Sequence, residues 1–138
     1  MSKISYSLTK SKITTGLRCP KKLWFDINDD YKIKIDHFNF HKGNVFGDKI
    51  KEIYGNGFDL SHNFEENIIQ LTQDAMNDPD VNIIYEGAFL FGETLVRTDV
   101  LIRKNNGWKL IEAKSSQSLE EHHLQDIAIQ YYVLNNLN

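Results

Sequence analysis

Three carboxylates interrupt otherwise apolar stretches in the second half of this chain: Glu86, Asp99 and Glu112, with thirteen residues from each to the next. Lys114 follows Glu112 by two positions, within Leu110-Ile111-Glu112-Ala113-Lys114. Alternate residues of a strand share a face, so Glu112 and Lys114 point the same way. On strands joined by tight turns, the repeated spacing brings the three acids side by side. Charges set among Leu110, Ile111 and Ala113 are costly unless they are paired or bound to a metal. Converging carboxylates are hard oxygen ligands and suit Mg²⁺, which keeps several waters and accepts phosphate oxygens. A lysine beside them could position or activate an attacking water and stabilise charge building on a phosphate. The same residues also allow a plain internal ion pair between Lys114 and one acid, and an isolated Glu-x-Lys is common by chance.

Beyond this segment, His123, Asp126 and Gln130 fall at i, i+3 and i+7 of a helical pattern and form one polar stripe. Ile127 and Leu134 flank it on one side, Leu119 and Val133 on the other, unlike a solvated face. Gln130 could orient a water or contact a phosphate, and Tyr132 could lend a hydroxyl or a stacking surface. The alternative is that His123 and Gln130 only cap strand ends or lie exposed. His122 and His123 are adjacent, so they offer no metal-site spacing. Gly43 and Gly47 form no phosphate-binding loop, because no Gly-Lys-Ser/Thr follows.

The elements that must position these groups can be read in outline. Residues 10–18 suit a short helix, and Pro20 suits the first turn of another, with Trp24 and Phe25 expected in the core. Residues 26–42 read as an irregular connection. From Asn44 apolar residues recur at helical spacing until Gly55-Asn56-Gly57. Asn63 and Glu66 make an N-cap pair for a helix over 64–77. Residues 81–91 and 94–103 are rich in β-branched and aromatic residues, Lys104-Asn105-Asn106-Gly107 is a turn, and 108–114 reads as a third strand. Short turns between them predict a three-stranded antiparallel meander. Ser118 with Glu121 announces a last helix running to about Leu134.

The 138 residues fit one domain, with apolar and charged fractions (41% and 25%) of an ordinary globular protein. No apolar run reaches the ~20 residues needed to span a bilayer, and no secretory leader is visible, so the chain reads as cytosolic. Its single cysteine, Cys19, makes no intrachain disulfide and holds no zinc or iron–sulfur centre alone. The net charge is −3, yet the first 25 residues carry Lys3, Lys10, Lys12, Arg18, Lys21 and Lys22 and no acid. Such a stretch could track a phosphate backbone, or it could be a solvated face.

The run GETLVRTDVLIRKNNGWKLIEAKSSQSLEEHHLQDIAIQYYVL resembles the RecB-like branch of the PD-(D/E)XK nuclease superfamily, and in particular a bacterial family related to CRISPR-associated RecB-like nucleases. The elements that carry the likeness are Arg97 to Leu101, Trp108 to Ser116 and His123 to Tyr132. The opening SKITTGLRCPKKLW is similar too, so the resemblance covers most of the chain. It implies an α/β (α+β) fold with a restriction-endonuclease-like core: helices, the three-stranded meander, then a helix. It implies Mg²⁺ or Mn²⁺ held by Asp99, Glu112 and the carbonyl of Ala113, with Glu86 a further acid of less settled role. Lys114 would be the catalytic lysine, Gln130 and Tyr132 would fill the helix motif, and the substrate would be DNA, single- or double-stranded.

Three departures stand out. Gly47 occupies the place where many RecB-like nucleases end a Gly-x-x-x-His pattern in a metal-ligating histidine. The three later cysteines of iron–sulfur relatives are absent, so no cluster is expected within these residues. A fourth core strand would follow the last helix, so the chain is expected to be the front of a longer architecture, a reduced variant, or a sheet completed by a partner or a second copy. These departures motivate the alternative of a weak or inactive nuclease-fold module that binds nucleic acid or a protein.

Overall fold

A computed structural model describes residues 7–28, 37–63 and 67–137, with backbone alone over 37–44. In chain order its elements are β1 (Leu8–Thr9), α1 (Lys10–Arg18), α2 (Pro20–Asn28), α3 (His37–Tyr54), β2 (Phe58–Asp59), α4 (Ile68–Asn77), β3 (Ile83–Tyr85), β4 (Ala88–Phe91), β5 (Thr94–Arg97), β6 (Val100–Lys104), β7 (Gly107–Ile111) and α5 (Glu121–Asn135). The class is mixed α and β, as expected. The sheet arrangement is richer than a meander: one three-stranded sheet in the order β1-β5-β4 and one four-stranded sheet in the order β2-β3-β6-β7.

Each of the two long predicted strands is broken in the middle. The breaks fall at Glu86-Gly87 and at Thr98-Asp99, directly across from each other. Glu86 adopts φ +57°, a left-handed conformation that a pleated strand does not accommodate. Past it, the Ala88 amide donates to the buried Thr72 hydroxyl of α4 at 2.9 Å, while Thr72 donates in turn to Ile68 O at 2.8 Å. Register nevertheless survives the kink. Tyr85 pairs with Val100 before it and Ala88 with Arg97 after it, and Glu86 N to Asp99 O (3.2 Å) and Thr98 N to Gly87 O (2.9 Å) bridge the gap. The pair of broken strands is therefore one bent hairpin, closed by the two-residue turn Gly92-Glu93 with Gly92 at φ +56°.

Short parallel strands flank this hairpin. Leu8 and Thr9 pair with Thr94 and Leu95, and Phe58 and Asp59 pair with Ile84 and Tyr85. Strands of two residues leave no periodicity to read. The core gathers Ile84, Leu101, Val96, Ala88 and Phe89 from the strands, Ile68 and Ala75 from α4, and Val133 from α5. Arg103 ties α4 to the sheet: its guanidinium donates to Val81 O, Met76 O and Asp78 O and lies 4.3 Å from the Trp108 ring centre.

Several boundaries need correction. The α2 helix continues to Asn28 and α3 already begins at His37, inside the segment expected to be irregular. The helix expected over 64–77 is described from Ile68, with Asn67 rather than Asn63 at its N-cap; Glu66 lies outside the described residues. The α5 helix is capped at Glu120 and His123, not at Ser118 and Glu121: His123 N donates to the Glu120 carbonyl at 3.0 Å, and Glu120 N donates to His123 Nδ1 at 3.0 Å. Trp24 and Phe25 are 59% and 41% exposed and meet each other edge to face, because α2 turns Leu23 rather than these rings onto α1, close over Gly16. No described helix is long and apolar enough to cross a membrane.

Candidate active site

The thirteen-residue spacing is the strand register made visible. Val100 pairs with Ile111 across β6 and β7, so the next pair outward sets Asp99 opposite Glu112. Across β3 and β6, one step beyond Tyr85–Val100 sets Glu86 opposite Asp99. The ladders stop at these last pairs and Glu86 is left-handed, so it is the adjoining strand ends that gather the three acids in a row along the kinked end of the sheet, where Glu86 and Asp99 each feel the charge of the neighbouring acids.

Glu112 is the hub. Its side chain is 6% exposed, and both oxygens are engaged: Oε1 by Lys114 Nζ at 2.7 Å and by Lys10 Nζ at 2.9 Å, Oε2 by Gln130 Nε2 at 2.6 Å. Lys114 also donates to Asp126 of α5, which holds its ammonium between two carboxylates. Asp99 Oδ2 accepts the Ala113 amide at 2.7 Å, and no hydrogen bond engages its other oxygen among the described residues. Glu86 pairs at 3.5 Å with Arg97, whose guanidinium is further anchored on Leu60 O at 2.8 Å.

These surroundings separate the carboxyls in acidity. Burial raises the Asp99 carboxyl above its usual range, and repulsion from Glu112 adds to the effect. Burial also raises Glu86, partly countered by Arg97. Burial pushes Glu112 the same way, but the hydrogen bonds from Lys114, Gln130 and Lys10 overcome it, and the carboxyl lies below its ordinary value. For Lys114, burial favours the neutral amine, yet Asp126 and Glu112 outweigh it and hold the group charged.

The polar stripe of the last helix thus meets the acids through two of its three members. Gln130 is fully buried against Glu112, and Asp126 grips Lys114. His123 is spent on the helix cap and lines an open cleft of about 410 Å³ beside Glu112, Lys114, Ser116 and Ser118. Tyr132, two residues after Gln130, is carried roughly 200° around the helix. There it is 57% exposed and meets Phe91 edge-on, with no hydrogen bond to the acidic row among the described residues. Two partners escaped the sequence reading. Asp126 stood in the stripe without an assigned role, and Lys10 was counted with the basic run, although the structure turns its ammonium into the acids. Elsewhere in that run Arg18 and Lys21 are exposed, Lys22 pairs with Asp26, and Lys12 donates to Ser7 O, while Lys3 lies outside the described residues. A Cβ at Gly47 would meet nothing within 4 Å among the described residues, and glycine itself offers no ligating side chain at that position.

Among the described residues, no three His, Cys, Asp or Glu side chains close around a point as a ready metal cage. Two carboxylates suffice for a cation that keeps most of its waters. Asp99, with an oxygen that no hydrogen bond engages among the described residues, and Glu112, whose carboxyl lies below its ordinary value and already holds ammonium groups, have the donor chemistry to hold one.

No family model and no solved structure matches the chain. The chain is 25% identical over 123 residues to the uncharacterised protein UU173 of Ureaplasma parvum serovar 3. The matched region is 89% of this chain and 16% of that relative, so the chain spans a small part of the relative's length.

Proposed function

We propose that this chain carries the catalytic centre of a metal-dependent nuclease of the PD-(D/E)XK type, acting on phosphodiester bonds of DNA. The observation that supports this most is the shared hub: Asp99 opposite Glu112, with Lys114 and Gln130 both on the Glu112 carboxylate. Asp99 and Glu112 would hold Mg²⁺ or Mn²⁺, which when bound polarises a phosphate and acidifies a water. Lys114, charged and fixed by Asp126, would orient the attacking water and balance charge on the phosphate. Gln130 holds the Glu112 carboxylate in one orientation. The adjoining cleft, with Ser116, Ser118 and apolar Leu119 and Ile127, offers room for a nucleotide next to the reacting phosphate.

Incubating the protein with single- and double-stranded DNA and Mg²⁺ or Mn²⁺ tests the proposal. Cleavage that disappears with chelator and in Lys114→Ala is the expected result; no cleavage by the wild type, or equal cleavage by the variant, contradicts it. A second reading, a nuclease-like module that binds without cutting, draws on the ammonium groups already seated on Glu112. Retained DNA binding with no cleavage under any divalent metal would favour it.

A further inference from the structure

Lys10 lies 102 residues from Glu112 in sequence, yet its ammonium rests 2.9 Å from Glu112 Oε1. The placement is built rather than incidental. Ser7 donates to Glu93 at 2.6 Å, Leu8 and Thr9 pair with β5, and Thr9 caps α1, so the backbone at Lys10 is fixed beside the acidic row. The ammonium acts on all three acids, drawing the Glu86 and Asp99 carboxyls downward as well as Glu112. Lys10 differs from Lys114 in one decisive respect. Lys114 is held by Asp126 as well as Glu112, whereas the Lys10 ammonium makes one hydrogen bond among the described residues, to Glu112. Its side chain is 23% exposed and has a path to solvent.

We propose that Lys10 is a resident counter-ion for the acidic row, seated where a divalent cation binds and displaced by it, so that this residue sets the affinity of the site for metal. The proposal rests on the metal-dependent reading above. Three carboxylates in a row repel one another, and a monovalent ammonium relieves that repulsion when no metal is bound. A dication must replace the ammonium, and Lys114 stays behind on Asp126 to serve the chemistry. Removing the Lys10 charge removes the competitor.

The test is titration of metal-free protein with Mn²⁺ by calorimetry, comparing wild type with Lys10→Met. The variant is expected to bind on the order of tenfold more tightly, since one full charge within contact distance is lost. Equal or weaker binding by Lys10→Met overturns this proposal and leaves the metal site standing. Absence of Mn²⁺ binding by both proteins removes the metal reading and this proposal together. Acylation of lysines in the wild type, read by mass spectrometry, needs no variant to fold. Labelling of Lys10 should rise several-fold when Mn²⁺ is added, and unchanged labelling at saturating Mn²⁺ counts against displacement.

Discussion

Replacing Gln130 with alanine perturbs the hub at one atom pair, and opposing effects can be weighed against each other. Gln130 is fully buried, and its Nε2 donates to Glu112 Oε2 at 2.6 Å. A hydrogen bond to a charged group contributes about 1.5–3 kcal/mol, and truncating a buried side chain costs about 1–2 kcal/mol more in lost packing. Against this, Gln130 Oε1 is buried with no hydrogen-bond partner among the described residues, and removing it returns about 1–2 kcal/mol. The net expectation is destabilisation of about 2 kcal/mol, a fall in Tm of roughly 6 °C for a domain of this size. Urea unfolding at pH 7 with chelator measures it. A double-mutant cycle with Glu112→Ala isolates the pair and should give a coupling of about 1–2 kcal/mol. The pH dependence has a fixed sign. Because Glu112 is held below its unfolded value, it stabilises the fold above that value and the contribution is lost as pH falls through the folded one. Removing the Gln130 donor moves that loss to higher pH. Additive single variants, within about 0.5 kcal/mol, would refute the idea that Gln130 acts through Glu112.

Two further outcomes follow from the same geometry. Asp99→Asn should raise Tm at pH 7 without metal, because burial and Glu112 disfavour the Asp99 carboxylate. The gain should shrink as pH falls through the raised folded value, where wild-type Asp99 takes up its proton, and the variant should lose any Mn²⁺-induced shift; scanning calorimetry across pH reads both. Thr72→Val leaves the buried Ala88 amide without its acceptor and should cost about 1–3 kcal/mol by chemical denaturation.

The convergence of the candidate site's side chains was more legible in the sequence than the fold around it. Equal spacing of Glu86, Asp99 and Glu112 encodes cross-strand register, which depends only on turn length and alternation, both visible in the residues. The break in the strands was not legible, because its causes are a left-handed Glu86 and a hydroxyl from Thr72, fourteen residues earlier. Composition over 81–91 still reads as one strand. Lys10 was misplaced for a related reason: a run of like charges says nothing about which member a two-residue parallel strand turns inward. The capping of α5 by Glu120 and His123 replaced a Ser118 signal of the usual type, and local patterns could not choose between them. Trp24 and Phe25 show the converse limit, since aromatic residues mark a core only where another element covers them.

We propose that Asp99 and Glu112 hold one divalent cation between them. Crystals grown at neutral pH, soaked in Mn²⁺ and measured at the manganese absorption edge, test it most directly. The expected result is a single anomalous peak within ligand distance, about 2.0–2.3 Å, of both carboxylates, with the Lys10 ammonium moved away from Glu112. A soaked crystal with no peak there, and with Lys10 and Lys114 still seated on the Glu112 carboxylate, would contradict it.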